Sequence, residues 1–223
     1  MKQERTQENK QQLTEIVFIL DASGSMHGLE EDTIGGFNSI LDKQKKLDGD
    51  AFVSTVLFDN ESKVVHDRKA IRDIAPMTDR AYSVGGCTAL LDAIGGAIHH
   101  IGNVHKYARE EDRPRKTLFV IITDGEENDS REYSYANVKH MISRQQDKYG
   151  WEFMFLGANI DAAKEAARYG IKKKMAVNFV CDRQGTALNY ASVSDAICCM
   201  RTENAVGTAW RDKIDADYKH RGR

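Results

Sequence analysis

The chain has 223 residues, 41% of them apolar, which is enough for one α/β domain with a substantial core. Its 32 basic and 34 acidic side chains leave a net charge of −2, which excludes general steering toward nucleic acid or an anionic membrane. Residues 1–12 are polar and lack the apolar stretch of a secretory signal, and no apolar run approaches the roughly 20 residues needed to cross a bilayer. Cys87, Cys181, Cys198 and Cys199 form no CxxC pair and suit a reducing compartment, so a cytoplasmic location is expected.

In chain order, residues 16–20 (Ile-Val-Phe-Ile-Leu) form a continuous apolar, β-rich run, the mark of a strand buried on both faces. The spacing of Ile34, Phe37, Ile40 and Leu41 predicts a helix over 29–47. Residues 52–58 read as a strand interrupted by Ser54 and Thr55, and the polar 62–68 as a short edge strand. Leu91, Ile94, Ile98, Ile101 and Val104 set a helix over 90–107, and 118–122 form a second buried strand. Helices over 135–149, 161–169 and 186–200 then alternate with short strands at 153–156 and 176–180. This alternation predicts an α/β fold with a mostly parallel sheet covered by helices on both faces. No repeat or linker divides the chain. Residues 1–12 read as a polar N-terminal tail, 13–200 as the domain, and 201–223 as a C-terminal helix or tail with a basic end.

A carboxylate follows each of the two long buried strands. Asp21-Ala22-Ser23-Gly24-Ser25 comes directly after the first and Thr123-Asp124-Gly125 directly after the second. Open α/β sheets bind ligands beyond the C-terminal ends of their strands, where strand order reverses. Thr88 starts a helix just after Gly85-Gly86, a pair that lets backbone approach closely. Ser23, Ser25 and Thr88 offer neutral oxygens; Asp21 and Asp124 offer carboxylate oxygens, either directly or by holding metal-bound water. Such donors suit a hard cation, Mg²⁺ first, with Mn²⁺ or Ca²⁺ accepting the same oxygens. Neutral ligands leave much of the ion's charge unspent, so an Asp or Glu carboxylate of a protein partner can complete the shell. Singly, each of these residues has a plainer use, as a helix cap or a loop former. The five together point to a metal.

In this order and spacing, Asp21-x-Ser23-x-Ser25, Thr88 and Asp124 resemble the metal-ion-dependent adhesion site of von Willebrand factor type A domains. The stretch from Gly85 to Ala93 is similar to the family's segment around its metal-ligating Thr, with Cys87 where many members have Gly. The likeness covers residues 13–200. It implies a Rossmann-like three-layer αβα sandwich with one antiparallel edge strand, 62–68, and a metal at the upper rim of the sheet. It also implies Asp21, Ser23, Ser25, Thr88 and Asp124 as the ligands. The expected function is that of a non-enzymatic, stand-alone bacterial-type cytosolic module that grips an acidic residue of a protein partner. A metal-dependent phosphohydrolase is one alternative, but enzymes of the haloacid dehalogenase type place a second Asp two residues after the first, where this chain has Ser23. A structural subunit with a vestigial metal site is another. Oligomeric state is left open.

Other residues carry weaker signals. Asp92, one turn beyond Thr88, is either an acceptor orienting the site or a capping carboxylate. Glu126, Glu127 and Asp129 read as a solvated acidic loop, and His27 as an exposed loop histidine near the site. His99, His100 and His105 lack the i, i+4 spacing of helical zinc ligands. Gly95, Gly96 and Gly102 are expected to allow close packing on the sheet, and Cys198 and Cys199 to be buried thiols. No GxxxxGK[ST] motif and no G-x-G-x-x-G after a strand occurs.

Overall fold

The structure, a computed structural model, describes residues 13–203 and 206–222, so the polar 1–12 tail lies outside the described residues. Strands β1 (Thr14–Asp21), β2 (Ala51–Phe58), β3 (Ser62–Ala70), β4 (Lys116–Thr123), β5 (Glu152–Gly157) and β6 (Ala176–Asn178) form one sheet in the order β3-β2-β1-β4-β5-β6. All neighbours are parallel except β2 and β3. The apolar runs read as doubly buried strands occupy the middle: every residue of β1 is buried, as are all of β4 after Lys116.

Helices α1 (Glu30–Gln44), α2 (Leu90–Tyr107), α3 (Tyr135–Tyr149), α4 (Ala162–Arg168), α5 (Arg183–Glu203) and α6 (Asp212–Arg221) surround the sheet. Packing of α1 on α5 and of α2 on α3 gives the two outer layers, because right-handed crossovers running to opposite sides of β1 fall on opposite faces. The expected αβα sandwich with an antiparallel edge strand is what forms. Ser134 and Asn137 make a reciprocal capping box at the start of α3, and Gly150 ends it in the left-handed conformation at φ 66°. Helix α5 runs past residue 200 to Glu203, and beyond it Trp210 and Ile214 pack into the same core.

The polar residues in β2 have structural work. Ser54 Oγ accepts from the Arg68 backbone N–H (3.1 Å), and Thr55 Oγ1 meets His66 Nδ1 (3.0 Å), where the β2–β3 pairing slips. At the foot of the sheet, the Glu15 side chain is wholly buried and held by Arg68 Nε (2.9 Å) and His105 Nε2 (3.2 Å). This buried carboxylate ties β1 to the edge strand and to α2. The α1–α5 seam is also partly polar, with Gln44 Nε2 donating to the Ser194 carbonyl (3.1 Å) and Arg201 Nη1 to the Gln44 carbonyl (2.6 Å). Cys198, expected to be buried, is half-buried there and receives a contact from Gln44 Nε2 (3.1 Å); Cys199 is half-buried as well.

Close packing does demand glycine at Gly95, as expected, but against a loop rather than the sheet. A Cβ on Gly95 would lie 2.4 Å from the Tyr133 ring, in the loop before α3 rather than on the sheet, whereas Gly96 has open space. A Cβ on Gly36 would lie 2.5 Å from the Tyr190 ring across the α1–α5 seam. Gly36→Ala should therefore lose about 1–3 kcal/mol to overpacking. Gly35→Ala, with nothing within 4 Å, should instead gain up to about 1 kcal/mol of helix propensity. Thermal melts of the two variants should move in opposite directions.

His66 supplies a second test. Burial, followed by the nearby Lys69 charge, pushes its pKa below the ordinary histidine value. The unfolded chain thus binds this proton more readily than the fold does, so stability is full above about pH 6.5 and declines as pH falls toward the lowered folded value. In His66→Gln, the loss of unfolding free energy between pH 7 and pH 5 should be shallower than in the wild type, as read from denaturant titrations.

Candidate metal centre

Chain direction reverses about β1, whose neighbours β2 and β4 depart to opposite sides, and the crevice falls at the C-terminal ends of β1 and β4. Leu20 pairs with Ile122, so Asp21 ends β1 beside Thr123, and Asp124 follows at once. Asp21, Ser23, Thr88 and Asp124 are all at most 3% exposed, while Ser25 reaches solvent.

Asp21 holds the loop that follows it. Its Oδ1 accepts the Ser23 backbone N–H (2.7 Å), and its Oδ2 accepts the Thr123 hydroxyl (2.5 Å). The buried Tyr82 hydroxyl donates to the Asp21 carbonyl (2.5 Å). Burial pushes the Asp21 carboxyl above the usual carboxylate range; the hydrogen bonds from Ser23 and Thr123 oppose that shift, and the neighbouring Asp124 adds to it. Ser25 Oγ donates to Asp124 Oδ1 (2.5 Å) and lies 3.0 Å from Ser23 Oγ. Gly125 borders two of the hydroxyls: a Cβ on it would be 3.5 Å from Thr88 Oγ1 and 3.8 Å from Ser25 Oγ.

Several residues that the sequence did not single out set this geometry. Asn60, in the turn between β2 and β3, accepts the Cys87 backbone N–H on Oδ1 (3.2 Å) and donates from Nδ2 to Asp129 (2.6 Å). Gly86, at φ 71°, leaves room for it, since a Cβ there would fall 2.1 Å from Asn60 Oδ1. Gly85 has open space, so the pair matters through its second member. Asn128 Oδ1 accepts the Thr88 N–H (2.9 Å), and the Asn128 N–H returns to the Thr88 carbonyl (3.1 Å). A short-range turn signal, Asp59-Asn60-Glu61, was the one hint of this in the sequence.

The acidic loop after Asp124 is not simply solvated. Glu127 accepts the Leu91 N–H at the start of α2 (2.8 Å) together with the N–H groups of Asp129 and Ser130. Asp92 accepts three backbone N–H groups, from Arg131 (2.8 Å), Glu132 (3.0 Å) and Tyr133 (2.8 Å). Asp92 thus anchors the loop, and Glu127, read as a solvated side chain, caps the helix. Glu126 and His27 are exposed. Cys181 lies 3.8 Å from Asp124 Oδ2; burial first, and then that carboxylate, raise its thiol pKa to about 11 and keep it protonated.

The donors fit an oxygen-seeking cation. Among the described residues neither Asp21 nor Asp124 has a basic ion-pair partner, although buried charges ordinarily require one. Among the described residues no group of three or more His, Cys, Asp or Glu side chains is arranged to hold a metal, so a cation here depends on hydroxyl oxygens.

The mussel byssus proximal thread matrix protein 1 with a zinc-occupied MIDAS motif has the same fold, with TM-score 0.56 and 18% identity over 83% of this chain and 46% of that one. So does a von Willebrand factor type A protein from Catenulispora acidiphila (TM-score 0.52, 14% identity, 82% of this chain and 42% of that one). The ArnB paralog VWA2 from Sulfolobus acidocaldarius gives TM-score 0.52 and 16% identity over 82% of this chain and 44% of that one. The chain thus spans less than half the length of each of these structures. No curated protein matches it. Among the described residues no helix is long and apolar enough to cross a membrane. The family of VWA domain-containing CoxE-like proteins matches residues 1–150, about two thirds of the chain, and with the sheet order already described this places the chain in that von Willebrand factor type A family.

Proposed function

We propose that the chain is a non-enzymatic, metal-dependent protein-binding module of the cytoplasm, in which Asp21, Ser23, Ser25, Thr88 and Asp124 hold a divalent cation that binds an Asp or Glu of a protein partner. The observation that carries this reading is that the Ser25 hydroxyl bonds Asp124 and lies beside the Ser23 hydroxyl, next to Asp21, two buried carboxylates that lack a basic counter-ion among the described residues. Mg²⁺ is the preferred ion because every proposed donor is an oxygen, with Mn²⁺ and Ca²⁺ as alternatives. Both oxygens of Asp21 already accept protein hydrogen bonds, which suits a positioning role and leaves direct ligation in this reading to the hydroxyls and Asp124. When bound, the cation supplies positive charge for an incoming carboxylate. Ser25, the exposed member, stands where a partner arrives.

Mg²⁺ at a hundredfold excess over its dissociation constant should stabilise the fold by about 2.7 kcal/mol relative to EDTA. For a domain of this size that is a rise in melting temperature of about 5–10 °C. Ser25→Ala should keep the EDTA melting point and lose most of the gain, and affinity capture from the source cell should yield a partner only with wild type and Mg²⁺. Identical melting with Mg²⁺ and EDTA would falsify the metal site.

Asn60→Ala tests the frame around Thr88. It should weaken Mg²⁺ binding by about 10–100-fold, as for groups that orient metal ligands, while shifting the EDTA melting point little. Metal titrations followed by calorimetry measure this directly; unchanged affinity would remove Asn60 from the frame.

A further inference from the structure

At the end of the sheet opposite the two carboxylates, the C-terminal halves of α2 and α3 border a cleft of about 540 Å³. Its size falls in the range of small-molecule sites, about 300–1,000 Å³. Lys106, Arg113 and Arg144 line it together with His99, His105 and His140, and among the described residues no Asp or Glu does. In a chain of net charge −2 this is a local excess of cations.

Helix ends explain part of it. His105 and Lys106 lie in the last turn of α2, where positive charge offsets the helix dipole. That argument does not reach His99 or His140, a turn or more upstream, nor Arg113, which comes from the loop before β4. His105 is also anchored from below by the buried Glu15 (3.2 Å). Among the described residues Lys106, Arg113 and Arg144 have no carboxylate partner.

A neutral polar group joins the cations. Gln145 lines the cleft at 8% exposure. Its amide offers two donors and an acceptor. Gly102 borders it, where a Cβ would make ordinary contact with Gln145 Nε2 at 3.5 Å. Ile98, Met141 and Trp151 add an apolar side to the cleft.

We propose that this cleft binds a small molecule bearing a diphosphate. Three permanent cations call for more than one negative charge, and guanidinium groups match phosphoryl oxygens in paired hydrogen bonds. The apolar side and the volume leave space for an organic body attached to the phosphates. In this arrangement Arg113, Arg144 and Lys106 hold the charge, and the Gln145 amide donates to a phosphoryl oxygen or to the bridging group.

The test is calorimetric titration of the full chain with inorganic pyrophosphate, ADP and citrate, in EDTA and at constant ionic strength so that the metal centre takes no part. Pyrophosphate and ADP should bind saturably, citrate more weakly than either. The Arg113→Gln/Arg144→Gln double variant should lose about tenfold or more in affinity, as expected when hydrogen bonds to a charged group are removed. Ser25→Ala should bind as the wild type does. If the double variant is poorly folded, pyrophosphate-induced shifts of the His99 and His140 ring resonances in the wild type give the same answer. Absence of saturable binding, equal binding by citrate, affinity unchanged in a folded double variant, or silent histidines would each overturn the proposal.

Discussion

The candidate site depends on one pairing, the parallel register of β1 with β4. Because Leu20 lies opposite Ile122, the two strands end level, and Asp21 meets the Thr123 hydroxyl at 2.5 Å. A slip of one residue would turn the alternate set of side chains toward the other face of the sheet and separate Asp21 from Thr123. The apolar faces of both strands, buried between two helical layers, forbid that slip. The core thus does more than stabilise the domain. It brings two carboxylates together at a rim where neither has a basic partner among the described residues, and burial is what raises the Asp21 pKa there.

Loops leaving the rim have no ladder to satisfy their backbone groups, and polar side chains take over that task. Asn60, Asn128, Glu127 and Asp92 bond the backbone N–H groups of Cys87, Thr88, Leu91 and residues 131–133. These contacts join the turn after β2, the loop entering α2 and the loop leaving β4 into one frame. Thr88 gains its place from that frame rather than from the helix it precedes, whose N-cap residue Ala89 makes no side-chain cap bond.

Unbroken apolar runs, left by burial of β1 and β4 on both faces, and helical spacing near 3.6 made the elements legible. The short β6 and the polar β3 were legible from their setting, one after a helix and the other at an edge. What was hidden shares a different cause. Asn60 acts on Cys87, 27 positions along the chain, and Glu127 on Leu91, 36 positions back. Contacts of that separation leave no periodic trace. Glu15 was hidden for another reason: a charged residue at a strand start reads as solvent-facing, yet here Arg68 and His105 let it be wholly buried. The Gly95 contact was misplaced because its partner, Tyr133, belongs to a loop and not to the sheet.

Helix direction poses an electrostatic problem at the rim. The N-terminus of α2, with its partial positive charge, points at Thr88, the position proposed for a cation ligand. Left alone, that dipole would disfavour a cation. Glu127, accepting the Leu91 N–H in the first turn, and Asp92 within the same turn place two negative charges against it. The acidic loop after Asp124 therefore has a reason to be acidic that does not require ligation: it cancels the helix end so that the field at the hydroxyls is set by Asp21 and Asp124. The same helix presents its negative end at the foot of the sheet, where His105 and Lys106 answer it. Charge of opposite sign thus gathers at the two ends of α2, and the domain can hold an acidic crevice and a basic cleft while its net charge stays at −2.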